Sequence, residues 1–256
     1  MVENKVVKQV IGNATLYCGD AYDVIQMLAD QNDKPHVVIT DPPWGLGDLS
    51  GTISKQRNKN AYQGYKDTEE NLANYIIPIC GMAVGFAGRA LVTPGAKCMY
   101  LYPRPAVVGG FYQPAASGVN QWGFASYSPV LFYGKDPRVG KGQDAIMTTL
   151  TDKPYCTKHP CSKPLEASKW LVKKGSLEGE TVFDPFMGTA SIGVAAVTMQ
   201  RRYIGIEIDP KYFEIACKNL ETAQSQMSMF DLPTPTANKP KVKVQTLLGE
   251  MEVKQK

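Results

Sequence analysis

The chain has 256 residues, of which 43% are hydrophobic and 20% are charged, and its net charge is +4. This length and composition allow a buried core in one domain. The mild basic charge permits a nucleic-acid partner without requiring one. The six cysteines include no C-x-x-C pair, which favours a reducing compartment over a disulfide-stapled secreted domain.

Neither the first residues nor the most apolar region of the sequence indicates a membrane protein. The first residues, Met1–Lys5, contain no signal-peptide core, and the most apolar region, 75–102, is interrupted by Pro78 and Arg89. We therefore expect a cytoplasmic protein that makes no membrane contact. The sequence leaves open whether it is a monomer or a homodimer.

The first predicted elements form a strand–helix–strand unit. A strand is predicted over 14–18, a helix over roughly 22–30 that Asp20 caps, and a β-branched strand over 36–40. Short links between these elements are typical of a parallel sheet. The first half continues with four elements, in this order: a helix over 68–90 that Pro78 kinks, a strand over 97–102, a loop or short irregular helix over 103–118, and a strand over 129–134.

The second half alternates more regularly. Its predicted elements, in chain order, are a polar surface insertion over 135–158, a helix over 164–174, a strand over 181–183, a helix over 191–200, a strand over 202–206, and a helix from Asp209 to about 223. We predict one domain over 1–230, with halves at about 14–134 and 159–223 on either side of the insertion. Residues 231–256, rich in Pro and Lys, are predicted to be a weakly ordered tail.

The tetrapeptide Asp41-Pro42-Pro43-Trp44 follows the strand predicted over 36–40. Open α/β sheets place ligand sites at such strand ends. The carboxylate of Asp41 and the carbonyl of Pro42 can accept two N–H donors, and the indole of Trp44 offers a face for stacking. A planar group that carries an NH₂ fits this receptor, although Asp-Pro-Pro also ends ordinary strands.

A second stretch, 181–207, reads as strand, glycine turn, helix, strand and acid. Gly188 permits close approach of a ligand, and Glu207, nineteen positions later, is spaced to accept hydrogen bonds from ribose hydroxyls. Neither G-x-G-x-x-G nor a P-loop is present, which disfavours a nicotinamide oxidoreductase and a triphosphate site. One glycine suits a ligand with adenosine and no phosphate.

Five segments together resemble the β class of amino-group DNA methyltransferases, the family of N6-adenine and N4-cytosine enzymes. The segments are Gly19-Asp20, Asp41-Pro42-Pro43-Trp44, Lys163-Pro164-Leu165, Asp184-Pro185-Phe186-Met187-Gly188 and Gly205-Ile206-Glu207-Ile208-Asp209. The resemblance covers about 14–223. It implies a doubly wound α/β fold with a mostly parallel, seven-stranded Rossmann-like sheet and a circularly permuted order of motifs, in which the strands ending at Phe183 and Thr40 are neighbours.

The resemblance also implies S-adenosylmethionine as cofactor and double-stranded DNA as partner, in a restriction–modification or similar setting. It further implies the cytoplasm of a bacterial cell or a phage-infected host as the location. The implied catalytic residues are Asp41, Pro42, Pro43 and Trp44. The implied cofactor residues are Asp20, Lys163, Pro164, Asp184, Pro185, Phe186, Gly188, Thr189 and Glu207. Asp at the first tetrapeptide position favours adenine N6 as the methylated amine. Two features depart from the family pattern: Ala190 stands where glycine is frequent, and the insertion 135–158 is short for a target-recognition region.

The loop 45–66 carries basic and aromatic residues beside the tetrapeptide, which are predicted to contact nucleic acid: Lys55, Arg57, Lys59, Tyr62 and Tyr65. The alternative is a solvated loop. Metal binding is not predicted, because Cys156, His159 and Cys161 lack a fourth ligand at a usual spacing.

Three alternative functions remain open from the sequence. The first is methylation of cytosine N4, and the second is methylation of RNA or of a protein side-chain amide, since each target presents a planar NH₂. The third is a nucleic-acid-binding module that keeps the fold without turnover.

Overall fold

A computed structural model describes residues 6–31, 34–45, 67–113, 119–124, 126–138, 142–148 and 164–230. The strands are β1 Val7–Ile11, β2 Ala14–Cys18, β3 Val37–Thr40, β4 Ala90–Val92, β5 Val107–Tyr112, β6 Val119–Asn120, β7 Gly123–Phe124, β8 Tyr127–Tyr133, β9 Ala145–Met147, β10 Thr181–Asp184 and β11 Arg202–Glu207. The helices are α1 Ala21–Asp30, α2 Glu69–Asn71, α3 Ile77–Ala87, α4 Leu165–Gly175, α5 Ser191–Thr198 and α6 Pro210–Phe230.

A nine-stranded sheet in the order β1-β2-β11-β10-β3-β4-β8-β5-β9 forms the centre of the molecule. Strands β2, β11, β10, β3 and β4 are parallel to one another. Strand β1 is antiparallel to β2, and β8 is antiparallel to both β4 and β5. The predicted α/β class with a mostly parallel sheet is confirmed. The sheet is wider than the seven strands expected, since β1 and β9 extend its two edges.

Helices cover both faces of the sheet. Side chains of α4, α5 and α6, including Leu171, Val194 and Leu220, pack into one buried cluster. Those of α1 and α3, including Val24 and Ile79, pack into the other. Because each parallel strand is covered on both faces, β3, β4 and β10 are buried along their whole length.

The chain changes sheet face between β3 and β10. Helix α3, after β3, lies on one face, and α5, after β10, lies on the other. The two strands are hydrogen-bonded neighbours, with Val182 opposite Val37 and Phe183 opposite Val38, so the predicted adjacency is confirmed. A crevice at the carboxyl ends of such a strand pair is where open α/β sheets bind ligands.

Two predictions in the first half were wrong. The strand expected over 97–102 is the 3₁₀ turn Met99–Leu101, and the sheet strand is instead β4, seven residues earlier. The segment expected to be a loop or irregular helix holds β5, whose Gly109 and Gly110 are disfavoured in strands. A Cβ at Gly109 would lie 1.9 Å from the carbonyl oxygen of Asp144, so close strand approach explains the glycine.

Other boundaries differ less. A π-helical turn, Leu72–Ile76, interrupts the long helix just before Pro78, where a kink was expected. Strand β9 lies inside the predicted insertion 135–158, and α6 continues to Phe230. Strand β1 was missed, although Gly12 and Asn13 between two β-branched runs are a hairpin signal. The predicted tail 231–256 lies outside the described residues.

Candidate active site

Acidic residues lie at the carboxyl ends of four adjacent parallel strands, all on the same side of the sheet. Asp20 follows β2, Glu207 ends β11, Asp184 ends β10 and Asp41 follows β3. Neighbouring strands are about 5 Å apart, so the four strand ends span roughly 15 Å. The structure therefore brings the predicted catalytic segment and the predicted cofactor segments to one crevice, although they come from distant parts of the chain.

Hydrogen bonds to Asp41 Oδ1 fix the carboxylate at the end of β3. Thr93 Oγ1 donates to this oxygen across 2.5 Å, and Trp44 Nε1 donates to it across 3.2 Å. The same indole N–H lies 2.9 Å from the Thr93 carbonyl oxygen, which also accepts it. Pro42 is buried, and Pro43 and Trp44 are half-buried. A carboxylate and an aromatic ring are thus held together at the mouth of the crevice.

Glycines bring the surrounding backbone close to the tetrapeptide. Gly95 has φ +70°, and a Cβ at this position would lie 2.9 Å from Cγ and Cδ2 of Trp44. Gly45 has φ +67°, and its N–H donates to Asp67 Oδ1 across 2.7 Å. Reasoning from the sequence missed Thr93, Gly95 and Asp67. The Thr-Pro-Gly turn after the apolar residues 90–92 was a signal for the first two.

Asp184 links the two predicted motifs through its side chain. It is 1% exposed and accepts hydrogen bonds from Thr40 Oγ1 at 2.7 Å, from Phe186 N–H at 3.2 Å and from the Tyr203 hydroxyl at 3.3 Å. Burial raises the pKa of this carboxyl to about 7, against the opposing effect of the Thr40 and Phe186 hydrogen bonds. Since Thr40 directly precedes Asp41, this contact joins the predicted catalytic segment to the predicted cofactor loop.

The loop after β10 has two left-handed residues and is tied to its neighbours. Gly188 has φ +52° and Ala190 has φ +60°. Met187 N–H donates to the Ile206 carbonyl across 2.9 Å, and Asn219 Nδ2 donates to the Thr189 carbonyl across 2.9 Å. A left-handed conformation is costly for alanine. Ala190 therefore adopts a backbone conformation that favours glycine, at the position where the similar family often has glycine.

A backbone N–H holds the Glu207 side chain at the end of β11. Glu207 is 7% exposed, and the Asp209 N–H donates to its Oε1 across 2.8 Å. Burial nevertheless raises its pKa to about 7. A buried carboxylate beside the glycine of the loop is chemically suited to accept further donors such as the hydroxyls of a ribose.

Asp20 is already occupied within the protein. Its Oδ1 accepts the Tyr22 N–H across 2.8 Å as the cap of α1, and its Oδ2 accepts the hydroxyl of Tyr75. The adjacent Gly19 N–H donates to the Glu207 carbonyl at 3.0 Å. The structure thus places Asp20 beside Glu207, as expected for two residues of one site, and its contact with a cofactor stays a prediction.

The remaining predicted residues divide into placed and unplaced ones. Pro185 is buried and Phe186 half-buried within the loop after β10, and Pro164 precedes α4, which packs against α5. Six predicted residues lie outside the described part of the chain: Lys55, Arg57, Lys59, Tyr62, Tyr65 and Lys163. Their proposed roles stay predictions.

Neither metal ligands nor a membrane span emerge from the described residues. In those ranges no three or more His, Cys, Asp or Glu side chains are grouped to hold a metal ion. No helix there combines the length and hydropathy needed to cross a bilayer. Cys156, His159 and Cys161 lie outside the described residues.

Comparison with known proteins confirms the resemblance drawn from the motifs. Residues 131–218 match the N6/N4 methyltransferase family model, whose description is DNA methylase. The Type II methyltransferase M2.DpnII of Streptococcus pneumoniae is 36% identical over 90 residues, 34% of each chain. The DNA adenine methyltransferase YhdJ of Escherichia coli is 35% identical over 65 residues, 25% of this chain and 22% of that protein. The matched regions thus cover about a third or less of the length of these two relatives.

Solved structures confirm the fold. The PvuII DNA methyltransferase, described as cytosine-N4-specific, superposes with a TM-score of 0.58 and 14% identity, over 84% of this chain and 92% of that one. The complex of M1.HpyAVI with SAM superposes with a TM-score of 0.56 and 18% identity, over 81% of this chain and 99% of that one. The chain has the fold of DNA methyltransferases and resembles the amino-group family in sequence.

Proposed function

We propose that this protein is an S-adenosylmethionine-dependent DNA methyltransferase that methylates the exocyclic N6 amine of adenine. One observation carries the proposal: the Thr40–Asp184 hydrogen bond of 2.7 Å, across 144 positions of sequence, joins the strand that bears Asp41 to the strand that begins the Gly188 loop. Two segments with complementary chemistry therefore face the same crevice. One suits a base amine, and the other suits an adenosine.

The residues present fit the cofactor. Glu207 offers a buried carboxylate for ribose hydroxyls, and Gly188, with φ +52°, leaves room for a ligand to approach the backbone. Pro185 and Phe186 lie in the same loop and would pack against the cofactor. S-adenosylmethionine supplies an electrophilic sulfonium methyl when bound. M1.HpyAVI, which shares the fold, is described in complex with SAM.

The catalytic segment would hold and activate the amine. A base amine is a poor nucleophile because its lone pair is delocalised into the ring. The Asp41 carboxylate and the Pro42 carbonyl would accept its two N–H groups, which directs the lone pair towards the methyl donor. Asp41 also stabilises the positive charge that develops on the nitrogen. The Thr93 hydrogen bond keeps the carboxylate in place for both tasks.

A base inside a duplex cannot reach this crevice, so the target base would be flipped out of the helix. The half-buried indole of Trp44, held by Asp41 and Thr93, would stack on the flipped base. Pro43 fixes the backbone before the ring. The basic loop 45–66 and the Lys-rich end of the chain would contribute phosphate contacts.

Asp41 favours adenine over cytosine, since family members with Asp at the first tetrapeptide position mostly resemble adenine enzymes. Cytosine N4 is the second candidate, because the superposed PvuII enzyme is described as cytosine-N4-specific and the same acceptors serve either amine.

Transfer of labelled methyl from S-adenosylmethionine to unmethylated duplex DNA, followed by nucleoside mass spectrometry, tests the proposal. We expect N6-methyladenine. N4-methylcytosine would keep the mechanism and change the base. Cofactor binding without incorporation into DNA would overturn the proposed substrate.

A further inference from the structure

Strand register places the end of the β5–β8 pair beyond the catalytic edge of the sheet. Thr40 of β3 is opposite Val92 of β4, and Val92 is opposite Leu131 of β8. Leu131 is therefore level with the residue that precedes Asp41. Because β8 runs antiparallel to β4, its residues Tyr127–Val130 continue past that level. Four strand residues extend about 13 Å.

A small hairpin follows at this projecting end. Tyr112 pairs with Tyr127 as the last pair of β5 and β8. Beyond it, β6 and β7 pair through Asn120 and Gly123, so that Gln121 and Trp122 form the turn. Trp122 is 98% exposed, whereas most tryptophans are largely buried. A large, exposed aromatic side chain thus lies in the connection between the projecting ends of β5 and β8.

Charge is absent from the whole element. Residues 105–134, thirty in number, include no Asp, Glu, Lys, Arg or His, in a chain that is 20% charged. Such a surface is unsuited to phosphate, which basic side chains recognise. Aromatic rings stack on bases, and Asn and Gln side chains match the hydrogen-bonding edges of bases. The side chains of Gln121 and the half-exposed Tyr112 and Tyr127, together with Trp122, fit bases and not the DNA backbone.

We propose that Trp122 stacks on bases of the duplex next to the flipped nucleotide, and that the β6–β7 hairpin is a base-contacting element. This inference rests on the proposed function and adds a second aromatic contact. Trp44 would hold the extruded base in the crevice, and Trp122 would support the stack from which that base has left. Loss of base stacking is costly during flipping, so an aromatic side chain at this place stabilises the opened duplex.

The test compares three variants with the wild-type chain: Trp122→Ala, Trp122→Phe and Leu177→Ala. Leu177 is 43% exposed and lies before β10, at the opposite edge of the sheet, so its truncation is a matched control for loss of an exposed apolar side chain. The measurements are the Kd for a long unmethylated duplex at several salt concentrations, the Kd for S-adenosylmethionine, and methyl incorporation.

We expect Trp122→Ala to weaken DNA binding about 5- to 150-fold, the fold-change of one lost base stack. Trp122→Phe should recover much of this loss, because a phenyl ring still stacks, and Leu177→Ala should bind as the wild type does. The slope of log Kd against log salt should be unchanged in Trp122→Ala, since no phosphate contact is removed. Cofactor binding should be equal in all four proteins.

Three outcomes would overturn the inference. In the first, the wild type methylates DNA and Trp122→Ala binds DNA no more weakly than Leu177→Ala. In the second, sedimentation shows that the wild type is a dimer and Trp122→Ala a monomer, which would assign the side chain to a contact between copies. In the third, the wild type binds cofactor but neither binds nor methylates DNA, which would refute the proposed function as well.

Discussion

Replacing Thr40 by valine removes one hydroxyl between the two motifs while keeping the branched shape of the side chain. Thr40 is fully buried, and its hydroxyl donates to Asp184 Oδ1 at 2.7 Å. The carboxyl of Asp184 is 1% exposed, so water cannot replace the lost donor. We expect the variant to be destabilised by about 1–3 kcal/mol, the cost of a buried polar group that loses its partner.

The size of this loss should depend on pH. Burial raises the Asp184 pKa to about 7, well above its ordinary value of 3.8, and the Thr40 hydrogen bond opposes that rise. A carboxyl with a raised native pKa binds more protons in the folded than in the unfolded state, so wild-type stability falls as pH rises through about 7. Without the Thr40 bond the native pKa is higher still, so the fall continues to higher pH and its total is larger.

The destabilisation by Thr40→Val should therefore be about 1 kcal/mol at about pH 5.5, where the carboxyl is protonated, and about 2–3 kcal/mol at about pH 8.5, where a charge-assisted bond is lost. Urea unfolding followed by circular dichroism at both pH values measures it. Thr148→Val is the matched control: Thr148 is 4% exposed and donates to the Tyr112 carbonyl at 3.4 Å. Equal destabilisation of Thr40→Val at both pH values would refute the reasoning.

Three further predictions concern the crevice. Gly95→Ala places a Cβ 2.9 Å from the Trp44 ring in a residue with φ +70°, so single-turnover methyl transfer should fall about tenfold or more. Cofactor binding, measured by calorimetry, should be unchanged. Methyl transfer at the wild-type rate would show that the position of the ring is unimportant. Ala190→Gly relieves a left-handed alanine at φ +60° and should raise the urea-unfolding free energy by about 1 kcal/mol; a loss of stability would contradict this. Burial raises the pKa of Glu207 to about 7, so S-adenosylmethionine affinity, measured by calorimetry, should increase as pH rises through about 7 and the carboxylate becomes able to accept ribose hydroxyls. Glu207→Gln should remove that pH dependence, and an unaltered profile would remove Glu207 from the cofactor site.

Local patterns predicted the elements that build the crevice. Strands β2, β3, β10 and β11 and helices α1 and α5 were expected within a few residues of where they lie, because their hydrophobic periodicities and caps are contained in the segments themselves. The adjacency of β3 and β10 followed from the rule for doubly wound sheets combined with the family resemblance. The placement of Asp41 and Asp184 at one edge of the sheet therefore followed from sequence alone.

Residues that act through tertiary contacts could not be placed in this way. Thr93 and Gly95 serve Asp41 and Trp44 from a different strand, and β4, which positions them, has only three residues. Strand β5 includes Gly109 and Gly110, which local propensity assigns to a loop. Their fit against the Asp144 and Ser128 carbonyls exists only in the folded sheet.

The hydrogen-bond partners of the acidic residues could not be predicted from the sequence either. Asp184 was expected to contact the cofactor, and the structure shows that three donors of the protein already bond to it. Asp20 similarly caps α1 and accepts from Tyr75. Which oxygen atoms bind internal donors depends on side-chain directions that a linear pattern does not contain.

The most direct test of the account is to measure cofactor binding and methyl transfer to duplex DNA in the same preparation of Asp41→Ala. The account divides the site between a cofactor half, near Glu207 and Gly188, and a catalytic half at Asp41. It predicts that Asp41→Ala binds S-adenosylmethionine with wild-type affinity and transfers no detectable methyl group. Loss of binding together with transfer, or transfer at the wild-type rate, would contradict that division of roles.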